Sequence, residues 1–168
     1  MVERIQIMGC SGSGKSTLAR NLGVKTGLPV VHIDQLFWKS GWVESSKEEI
    51  DGKILNAAAG ERWIMDGNYS RTLHHRLKRC DLAVYLDFPR WFCIWSVIRR
   101  YLQNLGRVRP DMPDGCPEKI DREFLAWVWT YNRNHRKKFL EMLGELPGER
   151  VVILKNRREV KRFVEQFE

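Results

Sequence analysis

Apolar residues along this chain of 168 residues fall into two alternating rhythms. Ile5 and Ile7 alternate with polar neighbours before Met8, a period of two that predicts a short strand feeding a glycine-rich turn. From Ser16 to Thr26 the rhythm becomes helical, with Leu18 and Leu22 on one face and Gly27 and Pro29 as stop signals. Val30 to Ile33 predicts a second strand ending in Asp34, and an aromatic loop from Leu36 to Trp42 follows. Ser45 and Ser46 each have a glutamate three residues on, so either can cap a helix running to about Gly60. Arg62 to Met65 predicts a strand ending in Asp66-Gly67, Arg71 to Leu77 a short helix, and Leu82 to Leu86 a buried strand ending in Asp87.

In the second half Trp91, Ile94, Trp95, Ile98, Leu102 and Leu105 recur at helical spacing. This predicts a helix that packs that face and shows Arg99, Arg100 or both near its exposed edge, with Gly106 ending it. Residues 107–117 carry three prolines and two arginines without an apolar period, the pattern of a loop free to move. A long helix is predicted next, with Ile120, Phe124, Trp127, Val128, Tyr131, Phe139 and Leu143 as its apolar stripe, then a strand from Val151 to Leu154 and a short basic helix. Strands alternating with helices predict an α/β fold whose parallel sheet is covered on both faces.

Composition narrows the class. At 43% hydrophobic and 30% charged residues the chain is built to fold, which excludes disordered and low-complexity readings. Its length fits a single domain, residues 1–168. With no apolar run of roughly 20 residues and no signal peptide at Met1, the expected location is the cytoplasm, with no membrane partner. The net charge of +8 favours anionic partners: nucleotides, phosphorylated metabolites or nucleic acid. Cys10, Cys80, Cys93 and Cys116 form no CxxC pair, so buried reduced thiols are expected rather than a zinc site or disulfides.

The sharpest chemical signal is Gly9-Cys10-Ser11-Gly12-Ser13-Gly14-Lys15-Ser16, which fits G-x-x-x-x-G-K-[ST] with Thr17 beyond it. It follows a predicted strand and opens a predicted helix, as phosphate binding requires: glycines let backbone N–H groups turn onto phosphate oxygens, and the helix N-terminus adds partial positive charge. Lys15 is expected to reach the β and γ phosphates and Ser16 to offer its hydroxyl to Mg²⁺. No Asn-Lys-x-Asp motif reads guanine, and the length leaves no space for the extra domains of a motor.

The P-loop GCSGSGKST, the segment HIDQLFWKSGW, the DGNY from Asp66 to Tyr69, the LDFPR from Leu86 to Arg90 and the stretch RPDMPDGCPEKIDREFLAWVW from Arg109 together carry a resemblance. The chain is similar to the small P-loop kinases related to adenylate and shikimate kinases, and most of all to the DNA topology modulation protein family. The resemblance implies a three-layer α/β/α sandwich with a five-stranded parallel sheet in the order 2-3-1-4-5, a small lid at about 106–117, and use of ATP with Mg²⁺.

In that strand order Asp66 and Asp87 end the strands flanking the P-loop strand, at the edge where α/β sheets bind ligands. The resemblance favours Asp66, with Ser16, on the metal side; Asp87 before Pro89 can equally begin a turn. It places Asp34 at the acceptor hydroxyl, to orient or deprotonate it or to help neutralise Mg²⁺, with capping as the alternative use. Arg100, Arg107 and Arg109 lie where related kinases carry lid arginines, although Ser96 stands where relatives often have another. Arg71 resembles an acceptor-phosphate arginine displaced by one residue. Phe37, Trp38 and Trp42 can stack a base or shield the transfer site, or simply pack. Asn156 and Arg157 follow the last strand, where the adenine pocket closes in this fold. Arg133 and Arg136 on the long helix can reach inward, although the run from Arg133 to Lys138 reads more readily as a solvated charged face, and the basic segment from Lys155 to Arg162 reads as either a solvated face or a nucleic-acid patch. The expectation is an ATP- and Mg²⁺-dependent kinase acting on a small molecule, possibly a nucleotide or nucleoside; the alternative is a nucleic-acid-associated ATPase or regulator.

Overall fold

The computed structural model describes residues 2–167. The first half runs β1 (Arg4–Gly9), α1 (Lys15–Thr26), β2 (Val30–His32), α2 (Ile33–Phe37), β3 (Trp38–Lys39), β4 (Val43–Glu44), α3 (Lys47–Ala59), β5 (Trp63–Asp66) and α4 (Ser70–Arg79). The second half runs β6 (Leu82–Leu86), α5 (Arg90–Gln103), α6 (Arg122–Tyr131), a π-helical turn (Asn132–Arg136), α7 (Lys137–Gly144), β7 (Val151–Leu154) and α8 (Arg157–Glu165).

β2, β5, β1, β6 and β7 form a parallel sheet in that spatial order, which is 2-3-1-4-5 when only the sheet strands are counted. β1, at its centre, buries Ile5, Ile7 and Met8, and β5 and β6 are buried throughout, as strands covered on both faces must be. The connection from β1 to β2 runs in the opposite direction along the sheet from that joining β2 to β5, so right-handed crossovers place α1 and α3 on opposite faces. α8 joins α1 and α4 joins α3. All four cysteines are buried and free.

Three expectations need correction. The aromatic loop is structured: its start forms α2, and β3 and β4 pair as a hairpin, Trp38 with Glu44 and Lys39 with Val43. Left-handed backbone at Gly41 (φ 76°) and Trp42 (φ 62°) makes the reversal. On α5 the stripe is inverted. Cys93 and Val97 face the core, whereas Trp91, Trp95, Ile98, Leu102 and Leu105 are exposed. The reason is close approach, because a Cβ on Gly12 would collide with the Cys93 carbonyl and come within 3.0 Å of Val97, so only small side chains fit beneath this helix.

The long helix is interrupted by the π turn. At 100° per residue, eight α-helical steps would set Phe139 roughly 80° away from Tyr131; the wider turn removes about that much. Tyr131 and Phe139 accordingly stack, with centroids 6.1 Å apart, and both are buried.

Candidate active site

The P-loop leaves β1 at Gly9 and enters α1 at Lys15. Gly9 (φ 147°), Gly12 (φ 81°) and Gly14 (φ 98°) occupy backbone regions that other residues avoid. α1 starts without a side-chain cap on Gly14, so its first N–H groups stay open to the cleft. Lys15 Nζ donates to the Cys10 carbonyl at 3.1 Å, and the Cys10 carbonyl also accepts from Ser13 N–H. Ser13 Oγ is buried with no hydrogen-bond partner among the described residues. Ser11, Gly12, Gly14, Lys15, Ser16 and Thr17 line a cleft of ≈ 380 Å³, while Gly9, Cys10 and Ser13 shape the loop from behind.

An amide clamp fixes the mouth of the loop. Asn68 Oδ1 accepts from Gly9 N–H at 3.1 Å, and its Nδ2 donates to the Gly9 carbonyl at 2.9 Å and to Tyr131 Oη at 3.0 Å. Asn68 is held in turn by Arg76, which is fully buried yet has no carboxylate partner among the described residues. Arg76 donates to Gln6 Oε1 at 2.6 Å and to the carbonyls of Gly67, Asn68 and Tyr69, and burial pushes its guanidinium down to about 9. Sequence reading quoted the Asp66–Tyr69 motif without seeing this role. The available signal was Arg76 itself, a charge on the buried face of α4 beside Leu73 and Leu77.

Opposite Lys15, Asp34 of α2 lines the cleft. Its side chain meets solvent at the cleft surface but has protein crowded around it, and the loss of bulk water raises its carboxyl above the usual range; Lys15 and Arg109 oppose this, and Asp66 and Asp111 add to it. Asp66 is buried and its Oδ1 sits 2.5 Å from His32 Nδ1. Burial disfavours the His32 cation, but the hydrogen bond and charge of Asp66, with Asp111, outweigh it and raise the imidazole. Asp66 is therefore already tied to a histidine that the sequence did not single out. Asp87 is engaged more firmly: Arg136 grips both its oxygens at 2.8 and 2.7 Å. Arg136, at the end of the π turn, thus takes the inward alternative and reaches the end of β6 while its side chain stays 43% exposed.

The segment between α5 and α6 is fastened across the cleft, not free. Gln35 Nε2 donates to the Pro110 carbonyl (2.7 Å), Gly41 N–H to Gly115 (3.0 Å), Trp42 Nε1 to Pro117 (3.1 Å) and Cys116 Sγ to Lys39 (3.2 Å). These bonds use main-chain carbonyls and so leave no apolar period to read. Within the strap, Arg100 pairs with Glu118 at 2.8 Å, Arg109 lies 2.5 Å from the other Glu118 oxygen and 2.7 Å from Asp111, and Arg20 reaches Asp111 at 3.4 Å. Burial opposes ionisation of Asp111, but Arg109, Arg20 and His32 win and hold its carboxyl below the usual range. Arg100 is lowered by burial and then by Arg109.

Of the expected lid arginines, Arg100 and Arg109 line the cleft, and Arg107 is exposed outside it. Arg157 lines it as expected and lies over Phe92, but Asn156 instead caps α8, bonded to Glu159. Trp95 and Arg99 of α5, Arg20 and Asp111 line the cleft and were missed as site residues. Phe37 packs with Tyr69 against Ile33, Ile50 and Ile54, and Trp38 packs edge-on between Phe37 and Trp42; neither reaches the cleft lining. Arg71 also lies outside it, gripped through two nitrogens by Asp51.

The uncapped α1 terminus, the left-handed glycines and the orphaned Ser13 hydroxyl fit a nucleotide polyphosphate. Among the described residues no cluster of three His, Cys, Asp or Glu could cage a metal alone. Ser16 and a nearby carboxylate are the hard oxygen donors that Mg²⁺ carried on nucleotide phosphates would take. No helix among the described residues is long and apolar enough to cross a membrane.

Over its full length the fold is similar to shikimate kinase from Acinetobacter baumannii in complex with shikimate: TM-score 0.62, 16% identity, covering 99% of this chain and 90% of that one. In sequence it is 26% identical over 136 residues to the uncharacterized protein YqaC of Bacillus subtilis (strain 168), covering 79% of this chain and 74% of the relative. It is also 32% identical over 103 residues to mouse threonine synthase-like 1, a match covering 52% of this chain and 14% of that protein's length. Residues 5–90, from β1 through the P-loop, Asp34 and Asp66 to the first turn of α5, match the AAA domain family, and the chain belongs to it.

Proposed function

We propose that this protein is a phosphotransferase that moves the γ-phosphoryl group of ATP to a hydroxyl of a small-molecule acceptor. One observation carries the reading: Asp34 faces Lys15 across a single cleft that an arginine-bearing strap closes. A site built only to hold a nucleotide has no use for that carboxylate, and a hydrolase gains nothing from a strap pinned over the side away from the nucleotide.

In this reading the P-loop amides and Lys15 hold the β and γ phosphates. Trp95, Arg99 and Arg157 flank the nucleotide at the α5 side, and Asn68 keeps the loop mouth in shape. Mg²⁺, with Ser16 as its protein ligand and Asp34 and Asp66 beside it, would neutralise charge on the phosphate oxygens. Asp34 orients the acceptor hydroxyl and takes its proton as the hydroxyl oxygen bonds to the γ phosphorus; the bond from that phosphorus to the bridging oxygen breaks, and its electron pair leaves on ADP. Lys15 brings positive charge to the transferring group, and the strap, fixed by the pairs of Arg100 and Arg109 with Glu118 and Asp111, excludes water.

The test is ADP formation dependent on an added acceptor, with the phosphorylated product identified by mass spectrometry. Asp34→Asn should lower transfer by about a hundredfold, the scale of one major catalytic group, while ATP binding measured by calorimetry stays within about threefold. ATP hydrolysis that is stimulated by DNA, needs no acceptor and survives Asp34→Asn would replace this reading with the nucleic-acid-associated ATPase.

A further inference from the structure

Charge is unevenly distributed along the cleft. At the α5 side Arg99 and Arg157 lie over aromatic rings, Trp95 and Phe92, with no ion pair to a carboxylate among the described residues. These are cations available to an anion, and the P-loop terminus adds to them. At the Asp34 end every guanidinium is already committed. Arg20 and Arg109 share Asp111, Arg109 and Arg100 share Glu118, and Arg71 is held by Asp51 in a two-point grip at 3.0 and 2.7 Å.

Nor can these arginines be withdrawn cheaply. The side chains of Asp111 and Glu118 are only 6% and 2% exposed, and Arg109 serves both; turned toward an anionic substrate it would leave each buried carboxylate with one guanidinium, Arg20 at 3.4 Å or Arg100 at 2.8 Å. Asp34 makes no ion pair among the described residues; Lys15 is the charge that acts on it most, with Arg109 on the same side and Asp66 and Asp111 opposing them. A phosphate or carboxylate group placed there would have to compete with Asp111 and Glu118 for Arg20, Arg100 and Arg109, and with the γ phosphate for Lys15.

The geometry points to an acceptor without an anionic group: a neutral or cationic alcohol, such as a nucleoside, sugar or amino sugar, and not a nucleoside monophosphate, a sugar phosphate or a hydroxy acid. This rests on the phosphotransferase reading and sharpens it, and it reverses the expectation for Arg71 as an acceptor-phosphate arginine.

Matched acceptors test it with the intact protein: adenosine against AMP, thymidine against dTMP, glucose and glucosamine against glucose 6-phosphate, and shikimate as the carboxylated alcohol. Product is followed by mass spectrometry at saturating MgATP. The expected result is a kcat/KM at least about tenfold higher for the uncharged or cationic member of the preferred pair, worth about 1.4 kcal/mol. Asp111→Asn removes the charge that occupies Arg20 and Arg109, so it should shift that ratio toward the anionic member by about tenfold; circular dichroism and ATP binding establish that the variant is folded. If Asp111→Asn does not fold, Arg20→Gln, which leaves Arg109 to Asp111, should keep the preference of the wild type. A wild-type preference for AMP, dTMP, glucose 6-phosphate or shikimate overturns the inference and leaves the phosphotransferase reading standing. ATP turnover with no transfer to any member overturns both.

Discussion

Asn68 offers the most direct way to ask whether the P-loop is held in shape from outside itself. In Asn68→Ala the buried N–H and carbonyl of Gly9 both lose their side-chain partner, and Tyr131 Oη loses a donor. Each unsatisfied buried group costs about 1–3 kcal/mol. Gly9 N–H and carbonyl together set the loss at roughly 2–6 kcal/mol, or about 4–24 °C in Tm for a domain of this size. Asn68→Asp is more diagnostic. One carboxylate oxygen can still accept from Gly9 N–H, but the other faces the Gly9 carbonyl where an N–H donor stood, so the ionised form is repelled and only the protonated form can donate there. The folded-state pKa of the new carboxyl must therefore lie above its unfolded value of about 3.9. With that sign the variant is least handicapped below the unfolded pKa and loses stability as pH rises through the folded one. Urea titrations at pH 5 and pH 8 on wild type, Asn68→Ala and Asn68→Asp, with ATP affinity measured in parallel, read both effects. Wild-type stability and ATP affinity for Asn68→Asp at pH 8 would refute the clamp.

Three further outcomes follow from the same geometry. Lys15→Ala should leave the fold intact and cut nucleotide-dependent ADP production about a hundredfold or more, since among the described residues the lysine ammonium donates a hydrogen bond only to the Cys10 carbonyl; unfolding midpoint and turnover check the two halves. Gly67→Ala should destabilise by about 2–5 kcal/mol, combining a φ of 137° with a Cβ placed 2.7 Å from Ile33 Cβ, as denaturant titration would register. Because the Asp34 carboxyl is raised, acceptor-dependent kcat should fall on acidification at a higher pH than an ordinary aspartate would give, and that limb should vanish in Asp34→Asn.

The fold was legible wherever one local signal settled a segment. The strands of the sheet and α1 come from period and stop residues, and α3 starts where Ser46 accepts from Glu49 N–H. What misled was the assumption that a large apolar stripe faces inward. On α5 the deciding constraint lay eighty residues earlier, in the need of Gly12 for a thin neighbour, and no periodicity within the helix carries that information. The π turn is similar: it exists so that Tyr131 and Phe139 share a face, a demand of packing that a count of helical positions conceals.

The site divides along the same line. The phosphate-binding loop was readable because its chemistry is local, with consecutive backbone groups and one lysine doing the work. Arginines were not, because a guanidinium is functional or structural according to which carboxylate reaches it first. Arg71, Arg100, Arg109 and Arg136 look equivalent in sequence. Asp51 takes the first, Glu118 and Asp111 take the next two within the cleft, and Asp87 takes the last. Those partners lie 20, 18, 2 and 49 residues away, and only the Arg109–Asp111 pair is close enough in sequence to be suspected. The acceptor side of this cleft therefore owes its character less to the number of its arginines than to the buried carboxylates that hold them, which is why exchanging one carboxylate, Asp111, should alter substrate choice more than exchanging any one arginine.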